Sequence, residues 1–184
     1  DGALKRALSL GIRFDVLLGD FDSQLLPHED SLPQPVRIVH TPDQEKPDLA
    51  KAIEFLINEG HKAVNILWAT GRRSDHYMTN MSLLGRYNNE IEMVMIDDHS
   101  RIYPLKSGFR KQYPENSNIS LIPLNKVENI ITKNLVWNLN GQPLEYPQVT
   151  GSSNRATGEG IVQIDFDSGV LLMMECYDLD YEIN

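Results

Sequence analysis

Asp15-Val16-Leu17-Leu18-Gly19-Asp20-Phe21-Asp22-Ser23 is the stretch on which the reading of this sequence turns. A short apolar strand over residues 16–18 stops at Gly19 and is followed by two carboxylates two residues apart. Side chains alternate along an extended chain, so an extended backbone here would point Asp20 and Asp22 the same way. Two like charges side by side repel, and a cation between them would relieve the repulsion. Hard oxygen donors at a strand end suit Mg²⁺, and Mg²⁺ suits phosphate chemistry. The competing reading is a solvated acidic turn, because Asp and Ser are ordinary turn formers.

Outward from this stretch, the first half alternates helix and strand. The spacing predicts helices over 3–10, closed by Gly11, over 47–59, closed by Gly60, and over 75–87. In the second of these, Leu49, Ala52, Ile53, Leu56 and Ile57 share one face. Pro47 falls in its first turn, where a missing N–H is harmless. Strands are expected over 16–18, 37–40, 63–68 and 91–96. This alternation predicts an α/β domain with a mostly parallel sheet flanked by helices.

The character changes after Asp97-Asp98. Strand-like runs at 102–105, 118–123, 133–137, 161–166 and 170–176 are separated by turn signals such as Lys106-Ser107-Gly108, Asn140-Gly141 and Asp167-Ser168-Gly169. No helical pattern stands out, and an all-β sandwich or barrel is expected. The expected division is therefore 1–99 for the α/β domain and 100–184 for the β-sandwich.

The 184 residues are 41% hydrophobic and 23% charged, ordinary proportions for a globular chain. A formal net charge of −9 argues against a broad nucleic-acid footprint, while leaving room for phosphate ligands neutralised locally. No apolar run approaches the roughly 18 residues of a membrane span. The single cysteine, Cys176, excludes an internal disulfide, fits a reducing cytoplasm and reads as a core residue. The histidines at 28, 40, 61, 76 and 99 have no zinc-type spacing.

In open α/β sheets ligands bind beyond the carboxyl ends of the strands. Besides the acidic pair, two such ends are polar. Thr41-Pro42-Asp43-Gln44-Glu45-Lys46-Pro47-Asp48 leads into the second helix. Its Asp48 is either an acid favoured by the helix dipole or a third metal-side carboxylate, with Lys46 near a phosphate. Ala69-Thr70-Gly71-Arg72-Arg73-Ser74-Asp75-His76 resembles a phosphate cradle without being a P-loop. There Gly71 would admit a ligand and Arg73 would fork onto phosphate oxygens, while Ser74 is the expected helix cap. His76 and Asn80 share a helical face. In the β half, Gly151-Ser152-Ser153-Asn154-Arg155 reads as a polar loop and Trp137 as core.

Taken in order, these motifs resemble thiamine pyrophosphokinases. The matching pieces are Asp1-Gly2-Ala3, Gly19-Asp20-Phe21-Asp22-Ser23, the Thr41–Asp48 segment, Thr70-Gly71-Arg72-Arg73-Ser74-Asp75-His76 with Asn80, Val136-Trp137-Asn138-Leu139, and Ser152-Ser153-Asn154. The resemblance implies an N-terminal α/β catalytic domain, a C-terminal β-sandwich that binds thiamine and dimerises, and a cytoplasmic homodimer. It implies transfer of pyrophosphate from ATP to the hydroxyl of thiamine. Carried over, Asp20, Asp22 and Asp48 would hold Mg²⁺. Gln44, Lys46, Thr70, Gly71, Arg73 and Asp75 would line the nucleotide and phosphates, with Asp75 or a metal-side aspartate as proton acceptor. Ser153 and Asn154 would help hold thiamine. The family often has Gly-Gly at Gly71-Arg72 and Thr at Pro47, and a strand ahead of Asp1 that is expected to be missing here. Two other readings of the residues are a DxD-type Mg²⁺-dependent phosphatase and a non-catalytic thiamine- or nucleotide-binding protein.

Overall fold

Residues 3–21, 32, 35–71 and 73–177 are described by the computed structural model, which divides into units 1–61 and 62–184. In the first unit the elements are α1 (Leu4–Ser9), β1 (Val16–Gly19), β2 (Arg37–His40) and α2 (Asp48–Asn58). β1 and β2 pair in parallel, with Gly19 opposite His40. Both helices close as the sequence predicts. Gly11 (φ +65°) and Gly60 (φ +85°) take left-handed conformations, and the N–H of the next residue reaches back to Ala7 O and Leu56 O respectively. Pro47 is extended and caps α2 rather than entering its first turn. Leu4, Leu17 and Leu32 form the buried cluster, with Phe14, Phe21, Val36 and Ile38 packed on it.

The second unit contains β3 (Ala63–Leu67), α3 (Ser74–Arg86), β4 (Glu92–Ile96), β5 (Ser100–Pro104), β6 (Phe109–Gln112), β7 (Asn118–Pro123), β8 (Val127–Lys133), β9 (Asn140–Leu144), β10 (Gly151–Arg155), β11 (Ile161–Asp165) and β12 (Leu171–Cys176). Six strands form one sheet in the order β10-β7-β12-β5-β4-β3, and four form another in the order β6-β11-β8-β9. Ile119, Leu121, Ile130, Leu144, Ile164 and Leu171 are among the fully buried side chains of the core shared by strands of both sheets.

The all-β sequence half is as expected, but the mostly parallel sheet of the first half is not. Only β3 and β4 run parallel in the six-stranded sheet, because α3 carries the chain back between them. β4 then pairs antiparallel with β5, and the sheet is mixed. The reversal is a tight turn: Asp97 N–H donates to Ser100 O at 3.0 Å, and Asp97 Oδ1 accepts the N–H groups of His99 and Ser100. The 99/100 position thus lies inside a single sheet.

Three local readings also change. The run expected as a strand at 133–137 ends instead at Lys133, where β8 gives way to Asn134 in the left-handed region (φ +61°). Asn140-Gly141 opens β9 rather than forming a turn. The polar loop at Gly151–Arg155 is a strand, pairing with β7 through an irregular register between Gly151 and Asn154, with Ser153 at φ +59°.

Candidate functional site

In the first unit the ends of β1 and β2 and the first turn of α2 meet around a buried ammonium. Lys51 has a side chain only 4% exposed, with Nζ 3.6 Å from Asp48 Oδ1 and 3.9 Å from Asp20 Oδ2. Its one hydrogen bond of good length runs to Thr41 O, at 3.1 Å. A buried ammonium needs anionic or hydrogen-bonding neighbours to offset its lost hydration, and these three groups supply them. The backbone is pinned alongside. Thr41 N–H donates to Gly19 O at 2.9 Å, and His40 Nε2 lies 3.2 Å from Asp20 O.

The sequence points to Asp20 and Asp48 but not to Lys51, for which the i, i+3 spacing from Asp48 was the available signal. The extended backbone expected for the acidic pair does not continue past Asp20. Phe21 is in the left-handed region (φ +59°), stacked at 6.1 Å on His40, so the chain is not extended there. Asp22 lies outside the described residues, as do Asp1, Gly2 and Arg72.

The other residues of this segment are exposed. Lys46 Nζ donates to Glu54 Oε2 at 2.8 Å, so its charge is engaged along α2. Asp43 makes a local turn by accepting the N–H of Glu45 at 2.9 Å. Gln44 is exposed.

The donor set suits Mg²⁺, which commonly takes one or two carboxylates and fills its octahedron with water and phosphate oxygens. Asp20 and Asp48 already converge on one cation. Thr41 Oγ1 nearby in sequence is buried without a hydrogen-bond partner. Every donor is a hard oxygen. Among the described residues no three His, Cys, Asp or Glu side chains converge, so a carboxylate triad cannot be assembled from those residues alone.

In the second unit the β3–α3 loop carries the other predicted cluster. Trp68 (φ +58°) and Gly71 (φ +91°) turn the backbone sharply. Among the described residues nothing lies within 4 Å of where a Gly71 Cβ would stand, so this side of the loop is open. Asn80 Nδ2 holds Ala69 O at 2.8 Å, tying α3 to the loop. Arg73, not Ser74, is the cap residue of α3. Its guanidinium grips Asp75 with two hydrogen bonds, Nε to Oδ1 at 3.1 Å and Nη2 to Oδ2 at 2.5 Å. That pairing raises the Arg73 pKa and lowers that of Asp75. Both groups are solvent-exposed, a setting in which ion pairs are worth little and yield to a better anion.

Thr70 Oγ1 donates to Asp97 Oδ2 at 3.0 Å. Burial alone would raise the Asp97 carboxyl, but hydrogen bonds from His99, Thr70 and Ser100 outweigh it and lower its pKa.

In the β half, Ser152 and Ser153 are exposed while Asn154 is buried. The Asn154 amide is engaged with backbone on both sides. Oδ1 accepts the N–H groups of Trp137 (3.1 Å) and Arg155 (2.8 Å), and Nδ2 donates to Trp137 O at 2.7 Å. Clasped in this way, Trp137 is 56% exposed, not core, with the Arg155 guanidinium 5.9 Å from its ring centre. A separate open cleft of about 610 Å³ is lined by Tyr113, Glu115, Thr157 and Glu159 among others. It contains none of the predicted residues, and its carboxylates do not suit a phosphate.

Comparison with known proteins bears on these clusters. Residues 1–95 match the family model described as thiamin pyrophosphokinase, catalytic domain, and residues 108–171 match thiamin pyrophosphokinase, vitamin B1 binding domain. Thiamine pyrophosphokinase 1 of Oryza sativa subsp. japonica is 28% identical over 172 residues, 85% of this chain and 64% of the rice protein. Thiamine pyrophosphokinase 2 of Arabidopsis thaliana is 28% identical over 70% of this chain and 52% of the plant protein. The chain thus spans less than two thirds of these curated relatives. Among solved structures, a thiamine pyrophosphokinase from Bacillus subtilis superposes with a TM-score of 0.79 at 23% identity, covering 95% of this chain and 84% of that one. A thiamin pyrophosphokinase from Candida albicans gives 0.77 at 17% identity, covering 96% and 78%. At such identities these two superpositions speak to the fold alone.

Proposed function

The chain belongs to the thiamine pyrophosphokinase family, and from that premise we propose that it transfers the terminal pyrophosphoryl group of ATP to the hydroxyl of thiamine, giving thiamine diphosphate and AMP. The observation that carries the proposal is the convergence of Asp20 and Asp48 on the buried Lys51 ammonium, where the strand ends meet α2.

In this reading Asp20 and Asp48, with Asp22, hold Mg²⁺, which when bound neutralises triphosphate oxygens and polarises the β-phosphorus. Lys46 and Arg73 meet non-bridging oxygens as charge develops on them, each exchanging an exposed carboxylate partner for phosphate. Gln44 and Gly71 line the nucleotide. The hydroxyl oxygen of thiamine forms a bond to the β-phosphorus. The bond from that phosphorus to the α–β bridging oxygen breaks, and AMP leaves with the electron pair. The hydroxyl proton passes to a site carboxylate, Asp75 or one of the metal-side aspartates. Ser153 and the exposed face of Trp137 receive thiamine, and Asn154 acts by fixing Trp137.

We also propose residues 1–99 as the catalytic portion, 100–184 as the thiamine-binding and dimerising portion, and a cytoplasmic homodimer. Sedimentation at the monomer mass would remove the dimer. The test of the function is incubation with ATP, Mg²⁺ and thiamine. AMP and thiamine diphosphate should appear in equal amounts, and nucleotide hydrolysis without thiamine diphosphate would overturn the proposal.

A further inference from the structure

Asp97 stands at the end of β4 with both oxygens occupied. Oδ1 accepts His99 N–H at 2.9 Å, Ser100 N–H at 2.7 Å and the Ser100 hydroxyl at 3.0 Å. Oδ2 accepts the Thr70 hydroxyl at 3.0 Å. A hydroxyl has one proton, and an ionised carboxylate can only accept. The Thr70 proton is therefore committed to Asp97, and its oxygen has only acceptor capacity left. A phosphate offers acceptors and negative charge, both mismatched to an acceptor oxygen backed by a carboxylate. Three residues on, Arg73 supplies the donors and positive charge that a phosphate needs. The open side of Gly71 adjoins Thr70 in the same loop.

We propose that Asp97 is a positioning residue that fixes Thr70 as a hydrogen-bond acceptor, so that Thr70 reads an O–H or N–H donor of the nucleoside and not the phosphates. This rests on the ATP-dependent reading above and deepens it. The donor is either a ribose hydroxyl or the exocyclic amine of the base, and two analogues separate them. Dideoxy-ATP lacks the ribose hydroxyls, and inosine triphosphate replaces the amine with a carbonyl. The carboxylate is held in its charged form by the same hydrogen bonds that outweigh its burial.

The expected consequence of Asp97→Asn follows from the geometry. The three donors of the β4–β5 turn retain the carbonyl oxygen of the new amide, so its NH₂ faces Thr70. Thr70 then accepts from that NH₂ and its own proton is released toward ligand, which inverts the preference.

The experiment is equilibrium binding, in Mg²⁺, of ATP, dideoxy-ATP, inosine triphosphate and inorganic tripolyphosphate. The intact protein should bind one of the two analogues about tenfold more weakly than ATP. Thr70→Val should lose about the same factor for ATP, keep its tripolyphosphate affinity and no longer distinguish that analogue. Thr70→Ser should restore the distinction, and Asp97→Asn should shrink or reverse it. Equal binding of ATP and both analogues by the unsubstituted protein overturns the inference without any variant having to fold. So does a Thr70→Val loss as large for tripolyphosphate as for ATP. Failure of the unsubstituted protein to bind ATP at all overturns the proposed function itself, and this assignment with it.

Discussion

Lys51 puts a positive charge where its side chain is only 4% exposed, and its partners are Asp48 of its own helix and Asp20 and Thr41 just past the ends of β1 and β2. Removing the ammonium would take away the donor to Thr41 O and a positive charge from beside two carboxylates. Lys51→Met, which keeps the stem, should lower stability by about 1–3 kcal/mol in metal-free buffer. Added Mg²⁺ should recover part of that loss by binding the native acidic cluster. Thermal denaturation with and without Mg²⁺ checks this, and a variant as stable as the parent and indifferent to Mg²⁺ would contradict it. Lys46 is the opposite case. It is paired with Glu54 on the surface, where such pairs contribute little. Lys46→Ala should change stability by less than about 0.5 kcal/mol yet raise the KM for ATP. Unchanged steady-state kinetics would remove Lys46 from the phosphate side.

At the scale of elements, the sandwich is stapled by Glu175 of β12. Its Oε1 accepts the Tyr103 hydroxyl of β5 (2.7 Å), the Lys111 ammonium of β6 (2.6 Å) and the Tyr113 hydroxyl (2.5 Å). β5 and β12 belong to the six-stranded sheet and β6 to the four-stranded one, so a single carboxylate links both. Burial works to raise the Glu175 pKa, but the bonds from Lys111, Tyr113 and Tyr103 lower it below the ordinary 4.5. Burial first, then the Glu175 carboxylate, holds both phenols well above the usual range, so they remain donors.

The sign of the pH effect follows. A carboxylate with a depressed folded pKa contributes stability that is present above its unfolded pKa and lost as pH falls through the folded value. Glu175→Gln should cost roughly 2–4 kcal/mol at pH 7. The gap from the parent should narrow as pH falls below 4.5. Urea denaturation at pH 7 and in acid measures it, and a gap independent of pH would refute the role given to the charge.

The same scale shows what the sequence makes legible. Helix ends at Gly11 and Gly60 and the strands at 37–40 and 118–123 follow from local signals, because apolar spacing and a left-handed glycine act within a few residues. The mixed sheet does not, because the β4–β5 reversal is a turn held by both the backbone and the side chain of Asp97, which apolar spacing does not announce. β10 escapes because Gly-Ser-Ser-Asn-Arg has no apolar alternation and is a strand only by its pairing with β7. Trp137 looks like core within Leu-Val-Trp, yet is held outward by an Asn seventeen residues away. For the site, the residue types were readable. Their partners were not: Lys51 between two aspartates, Asp97 behind Thr70, and Arg73 already on Asp75.

At the scale of the molecule, both halves of the sequence match segments of one family, over 1–95 and 108–171. Among the described residues no helix is long and apolar enough to cross a membrane. With a net charge of −9, a phosphate ligand would have to be met by local cations rather than by the overall field. In the proposed reaction the acidic and basic groups at the strand ends serve a transfer of two phosphoryl units in one step. ATP labelled with ¹⁸O on the non-bridging oxygens of both the β and γ phosphoryl groups, supplied with Mg²⁺ and thiamine, tests this most directly. Mass spectrometry should find both labelled groups together in thiamine diphosphate, beside unlabelled AMP. Label recovered in inorganic phosphate or ADP, with thiamine unmodified, would contradict it.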